Sequence, residues 1–150
     1  QKHVDVHRSL IYGIMRQESG FLPESCSWAG AKGLMQLMYS SAKSQSKWWN
    51  LDNLKEEDLY TPKVNLLLAS SLLKTYLQKF PNLAVALCAY NAGPSVAKKW
   101  VAKNNGAPLD IFIADIPYKE TESYVKAVLG ATAAYVKQPF LPRLSMSVDK

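Results

Sequence analysis

Glu18 closes the run Ile14-Met15-Arg16-Gln17-Glu18-Ser19-Gly20-Phe21, a carboxylate at the end of an apolar stripe. Ile11 and Ile14 stand seven and four residues before it, so a helix here places all three on one face. A face turned to the core disfavours the charged carboxylate and raises its pKa. A carboxylic acid that keeps its proton near neutral pH is suited to general-acid catalysis. Taken alone, the same residue reads first as a glutamate at a helix end that points to water. Three later segments carry polar groups of the kind that hold a substrate. They are Gly30-Ala31-Lys32-Gly33-Leu34-Met35-Gln36-Leu37-Met38, then Ala89-Tyr90-Asn91-Ala92-Gly93-Pro94, then Ile116-Pro117-Tyr118-Lys119-Glu120-Thr121 with Tyr124-Val125 beyond it. Gln36 offers an amide donor and acceptor, and Tyr90 a phenol that seeks a partner when buried. Glu120 is a second carboxylate, at the start of a helical pattern whose dipole favours negative charge.

The elements that must position these groups are helical almost throughout, and no strand signal is convincing. Residues 7–19 read as a first helix with Leu10, Ile11, Ile14 and Met15 inward, ended by Gly20. Gly13 inside it costs about 1 kcal/mol of helix propensity relative to alanine, which points to close packing there. Residues 21–32 read as a loop, and a second helix is expected over residues 33–47. Thr61-Pro62 is a start signal, threonine as N-cap and proline at the first helical position. The helix that follows carries Leu66, Ala69, Leu73, Tyr76, Leu77 and Phe80 on one side. Further helices are expected over residues 83–91, 95–103 and 120–136, with a turn at 104–106. The last has Tyr124, Val128, Leu129, Thr132 and Tyr135 inward. The expected architecture is all-α, with residues 1–150 as a single domain and the tail 137–150 ordered only where it touches that domain.

The composition is that of an ordinary globular chain: 150 residues, 48% hydrophobic and 20% charged. No apolar run approaches the roughly 20 residues of a membrane span. The chain begins at Gln1 without a visible signal peptide, which reads as a processed form or an excised domain, monomeric or part of a larger protein. A net charge of +6 favours polyanionic partners. The basic residues are scattered, however, and form no nucleic-acid-binding motif, so specific nucleic-acid binding is not expected. Cys26 and Cys88 have no metal-ligand spacing and read either as one disulfide or as free thiols. No metal or organic cofactor is implied.

In this order and at these distances, the four segments closely resemble the catalytic domain of the soluble lytic transglycosylases. That is the glycoside hydrolase family 23 group, related in fold to goose-type lysozyme. The resemblance runs over about residues 4–136. It implies a lysozyme-like helical domain acting on peptidoglycan glycan strands outside the cytoplasm, in the periplasm or cell wall. It further implies cleavage between N-acetylmuramic acid and N-acetylglucosamine without water, giving a 1,6-anhydro product. One residue suffices for that chemistry, protonating the leaving oxygen and then taking a proton from the attacking hydroxyl. Substrate assistance by an N-acetyl group replaces the second carboxylate of most glycosidases.

Matched motif to motif, Glu18 takes the acid/base position. Ser27, Gln36, Met38, Tyr90, Asn91 and Glu120 take substrate-binding positions. Glu24, the other acid between Glu18 and Gln36, reads as a solvated loop charge. The sequence departs from the family pattern at Tyr39, where proline is frequent, at Ser41, where threonine is common, and at Trp28. Beside Ser27, Trp28 either offers a stacking surface for sugar or obstructs part of the cleft. Two rival readings stay open from sequence: a hydrolytic muramidase of the same fold, and a non-catalytic peptidoglycan-binding module.

Overall fold

The computed structural model describes residues 5–80, 82–104 and 106–137. Their helices are α1 (Arg8–Glu18), α2 (Tyr39–Ser46), α3 (Pro62–Lys79), α4 (Leu83–Ala92), α5 (Pro94–Lys103), α6 (Leu109–Ala114) and α7 (Lys119–Val136). Two 3-10 turns, Lys47–Trp49 and Glu56–Tyr60, lie between α2 and α3. Among the described residues β pairing is limited to isolated bridges, Cys26 with Lys32 and Lys32 with Leu37. The all-α expectation therefore holds. Of the tail expected at 137–150, residues 138–150 lie outside the described residues, as does Asn105 of the turn expected at 104–106.

Helix α4 is the hub. Ala84 to Ala89 are all buried, so this helix is apolar on every side and sits inside the bundle. It packs on α3, α5 and α7. Asn82 caps its start, accepting from the Val85 N–H at 3.0 Å. Gly93 ends it at φ 95°, ψ 150°, a conformation glycine reaches without penalty, and Pro94 opens α5 at once. Around this hub, α1 and α7 make the most extensive helix pair. Gly13 lies at their contact: a Cβ there would stand 2.6 Å from Thr132 Oγ1 and 3.1 Å from the Val128 carbonyl. The close packing expected at Gly13 is thus an interhelical one.

The sequence expectation fails most clearly over residues 33–38. These do not open α2, which begins only at Tyr39. Instead Lys32 and Leu37 exchange two backbone hydrogen bonds, 3.1 and 2.9 Å, and close a turn between them. Gly33 and Gln36 both have positive φ, 77° and 47°, which no helix allows. The reason lies far away in sequence. Asn65, fully buried on α3, donates from Nδ2 to the carbonyls of Lys32 (2.8 Å) and Leu59 (2.9 Å). Its Oδ1 accepts from the Met35 N–H at 2.9 Å. One side chain thereby supplies the partner of the buried Met35 N–H and ties the carbonyls of Lys32 and Leu59 to α3.

Smaller departures are local. Helix α6 and the turn Glu56–Tyr60 are absent from the sequence reading. On α3 the fully buried positions include Leu67 and Leu68, while Leu66, Tyr76 and Leu77 are only partly buried. The cysteines are free and unalike: Cys26 is exposed and Cys88 buried, with burial pushing the Cys88 thiol up to about 12.

Replacing Asn65 by leucine removes all three bonds and leaves buried backbone groups without partners. The expected loss is about 3 kcal/mol or more, read as a lowered denaturant midpoint at unchanged slope. Gly33→Ala should cost a comparable amount, because its Cβ would stand 2.2 Å from the Leu59 carbonyl and 2.3 Å from Asn65 Nδ2. Stability equal to wild type in both variants would contradict this account of the turn.

Candidate active site

Glu18 is the last residue of α1. Ile11 and Ile14 on its face are fully buried, and Glu18 itself is half-buried at the rim of that face. The helix stops there because Gly20 and Phe21 take positive φ, 59° and 68°. Ser19 seals the end: its N–H reaches the Met15 carbonyl at 3.0 Å, and its Oγ donates to the Leu34 carbonyl at 2.8 Å. The acid is therefore tied, through its neighbour, to the turn that Asn65 holds.

The Glu18 pKa is raised to about 7. Loss of hydration on burial is the largest cause, a contact with Tyr124 pulls the other way, and the charge of Glu120 raises it further. Tyr124 is buried on α7, and its hydroxyl makes no hydrogen bond of ordinary geometry. It nevertheless stands near enough to the carboxyl to favour its ionised form. It is a buried donor whose nearest use is the carboxylate that appears when Glu18 gives up its proton. Burial, then the Glu18 charge, push the ionisation of Tyr124 well above the ordinary phenol value. Tyr90 is raised likewise, by burial first and Glu18 next. Its hydroxyl donates to the Met35 carbonyl at 2.9 Å, joining α4 to the same turn. Both phenols thus stay protonated donors beside the acid.

Of the residues expected from sequence, Tyr90 and Glu120 each lie within electrostatic reach of Glu18. Glu120 is the second residue of α7 and is exposed. The others are held by local bonds. Ser27 Oγ accepts from the Ala31 N–H at 3.0 Å and closes a small loop. Gln36 Nε2 donates to the carbonyls of Ser25 (3.1 Å) and Gly33 (2.9 Å), which leaves its Oε1 as the part free for a ligand. Asn91 Oδ1 accepts from Thr121 Oγ1 at 2.8 Å, linking α4 to the start of α7. Met38 is 41% exposed, whereas Met35 is the methionine in the core. Glu24 is exposed, and Trp28 is fully so. Among the described residues no group of three His, Cys, Asp or Glu side chains is placed to hold a metal.

Residues 1–113 match the family model of the Transglycosylase SLT domain. The chain belongs to this family. It is 36% identical over 135 residues to the soluble lytic murein transglycosylase of Salmonella typhimurium, a match covering 87% of this chain and 21% of that protein. Two solved structures agree with the fold. The 70 kDa soluble lytic transglycosylase of Escherichia coli matches with TM-score 0.81 at 34% identity, covering 87% of this chain and 22% of that one. The lytic transglycosylase Slt of Pseudomonas aeruginosa, solved as an inactive glutamate-to-glutamine mutant, matches with TM-score 0.81 at 36% identity, covering 87% and 21%. The chain thus spans about a fifth of the length of these relatives.

Two residues that shape the site of this SLT domain escaped the sequence reading. Tyr124 was part of the fourth segment and of the inner face of α7, but nothing local shows that it faces Glu18. Asn65 had one available signal, a polar side chain within an otherwise apolar stretch of α3.

The raised Glu18 pKa has a consequence for stability. The folded state holds the Glu18 proton up to about pH 7, and the unfolded chain releases it near the ordinary 4.5. Stability therefore falls as pH rises between those two values. Glu18→Gln should stabilise the fold at pH 8 by about 2 kcal/mol, less than the full shift because Glu18 is partly exposed, with the gain vanishing below about pH 4.5. Chemical denaturation at both pH values checks this. Carboxyl titration by infrared spectroscopy should show the Glu18 pKa rising in Tyr124→Phe and falling in Glu120→Gln.

Proposed function

We propose that this domain is a peptidoglycan lytic transglycosylase in which Glu18 serves as the single acid and base. The observation that carries the reading is the Glu18 carboxyl, half-buried and raised to about 7, in a chain of the SLT family. The names of the relatives support the substrate, since the Salmonella protein is a murein transglycosylase. The Pseudomonas relative, inactive after a glutamate-to-glutamine change, supports an essential glutamate in this group.

In the proposed reaction the Glu18 proton passes to the oxygen joining N-acetylmuramic acid to N-acetylglucosamine, and that bond breaks. The electron-poor anomeric carbon is relieved by the N-acetyl oxygen of the same sugar, which stands where other glycosidases place a second carboxylate. The muramic 6-hydroxyl then attacks the anomeric carbon, and its proton returns to Glu18. Atoms balance without water, and the product carries a 1,6-anhydro ring. Tyr124 stabilises Glu18 in its ionised interval, because its buried hydroxyl has no other partner.

The remaining roles follow from what each side chain has free. Gln36 presents Oε1 and Asn91 its amide N–H groups to sugar polar atoms, since their other ends are engaged. Met38 offers an exposed apolar face to a pyranose ring. Ser27 shapes the loop beside it and offers its hydroxyl to an acetamido group. Tyr90 orients the turn below the acid, and Glu120 binds sugar hydroxyls or the muropeptide. Residues 1–150 act as one catalytic domain, outside the cytoplasm where peptidoglycan lies. No helix among the described residues is long and apolar enough to cross a membrane.

Mass spectrometry of products from purified peptidoglycan should show muropeptides one water lighter than those a hydrolase releases. Hydrated products alone would establish a muramidase instead. Glu18→Gln should lower kcat by about a thousandfold or more. In the wild type, kcat/KM should fall as pH rises through about 7, as the free enzyme loses its acid proton.

A further inference from the structure

Trp28 is fully exposed, so its indole covers none of the domain's own surface. An indole laid across a cleft would lose exposure against the walls, and the obstructing reading of Trp28 therefore fails. Its backbone is nevertheless firmly held. The Gly30 N–H donates to the Ser27 carbonyl at 3.0 Å and closes a four-residue turn, with Trp28 at its first central position. The Ser27 N–H reaches the Ala31 carbonyl at 2.9 Å, and Ser27 Oγ accepts from the Ala31 N–H at 3.0 Å. Gly30 takes φ 87°, and its carbonyl accepts from Lys32 Nζ at 3.3 Å. A turn fixed in this way loses little backbone freedom when its exposed ring meets a ligand.

The register of the surrounding chain places this turn beside two candidate sugar contacts. Cys26 lies opposite Lys32, and Lys32 opposite Leu37, both antiparallel. One step toward Trp28, Ser27 lies opposite Ala31, and Met38 flanks Ala31 on its other side. One step the other way, the Ser25 carbonyl accepts from the Gly33 N–H at 2.8 Å and from Gln36 Nε2 at 3.1 Å. Gln36, Met38 and the Trp28 turn thus follow one another along a single patch. Chains paired in this way lie about 5 Å apart, which puts the Trp28 backbone within roughly 15 Å of that of Met38. The patch begins beside the acid: the Leu34 carbonyl, two residues before Gln36, accepts from Ser19 Oγ at 2.8 Å.

We propose that Trp28 stacks on a sugar ring of the glycan strand, beyond the ring that Met38 meets, and so lengthens the stretch of strand that the domain holds. The proposal rests on the peptidoglycan reading above and deepens it. Indole offers a large flat apolar area, which suits the C–H face of a pyranose. The charges around the turn favour a neutral partner. Over residues 21–32 the single cation is Lys32, which is paired with Glu56 at 2.6 Å, and Glu24 is an exposed carboxylate. An anionic lipid surface finds no free cation in this loop, whereas N-acetylglucosamine carries no charge. Trp28 departs from the family pattern, so the contact is this chain's own.

The test measures binding as a function of strand length. In the Glu18→Gln background, glycan strands stripped of their peptide stems by an amidase are separated by size and titrated against the protein. Adding Trp28→Ala should weaken binding of long strands about tenfold and leave the shortest strand that binds unchanged. Trp28→Phe should recover most of the loss. Equal weakening at every length would overturn the proposal, as would no weakening at any. Loss of binding to phosphatidylglycerol vesicles in Trp28→Ala, with strand binding intact, would assign the ring to a lipid surface and also overturn it. Absence of cleavage by the wild-type domain would instead count against the transglycosylase reading, whatever the length dependence shows.

Discussion

The Asn65 carboxamide holds the structure around the acid together. Its three hydrogen bonds fix Lys32, Met35 and Leu59 at once, and the side-chain bonds from Ser19 and Tyr90 both end on the turn they enclose. Leu34 in that turn accepts from Ser19, the residue after the acid, and Met35 accepts from Tyr90 on α4. Helices α1, α3 and α4 are thus joined by side chains to one short piece of irregular backbone. Such backbone is expensive to bury, because its polar groups lack the partners a helix supplies. A fully satisfied buried amide makes it affordable, and it also fixes one geometry rather than several.

Around that anchor the electrostatics of Glu18 is a balance of opposed effects. Burial and the Glu120 charge favour the acid, and Tyr124 favours its conjugate base. Burial alone would hold the proton but oppose its release. Tyr124 resolves this, because its hydroxyl keeps its proton and has the carboxylate as its nearest use, whereas the Tyr90 hydroxyl is spent on the Met35 carbonyl. A carboxyl near pH 7 can then both give and take a proton, since neither form is far from the other in free energy.

How much of this is readable in the chain depends on the range of the interaction. The first helix was legible because its signals are local: the stripe Leu10, Ile11, Ile14, Met15 and the stop at Gly20. The same holds for Thr61-Pro62, whose local sequence decides where α3 starts. Residues 33–38 were misread because Leu34, Met35, Leu37 and Met38 mimic a helical stripe, while the feature that overrides it sits on α3. Gln36 gives no warning either, since a positive φ at glutamine is imposed from outside. Helix α6 is six residues long and has no side-chain cap, so it leaves little periodicity to detect. The segments holding Glu18, Tyr90 and Glu120 were legible as motifs, but the approach of Tyr124 to the acid exists only after two helices have packed.

That packing runs back to Gly13. Moving along α1 from Gly13 to Glu18 corresponds to moving backward along α7 from Thr132 to Tyr124, so the two helices are antiparallel and share one line of contact. A side chain at 13 would meet Thr132 Oγ1 at 2.6 Å and force the helices apart. Separation at that point propagates to the Glu18–Tyr124 contact one and a half turns away, because packed helices move as rigid rods. Losing that contact removes the influence that lowers the Glu18 pKa, while admitting water weakens the burial that raises it. The two changes oppose each other in the pKa but not in the chemistry. Both disturb the half-buried setting beside Tyr124 in which one carboxyl can give a proton and take it back. The glycine therefore accepts a loss of about 1 kcal/mol in helix propensity in return for the interhelical distance on which the acid depends.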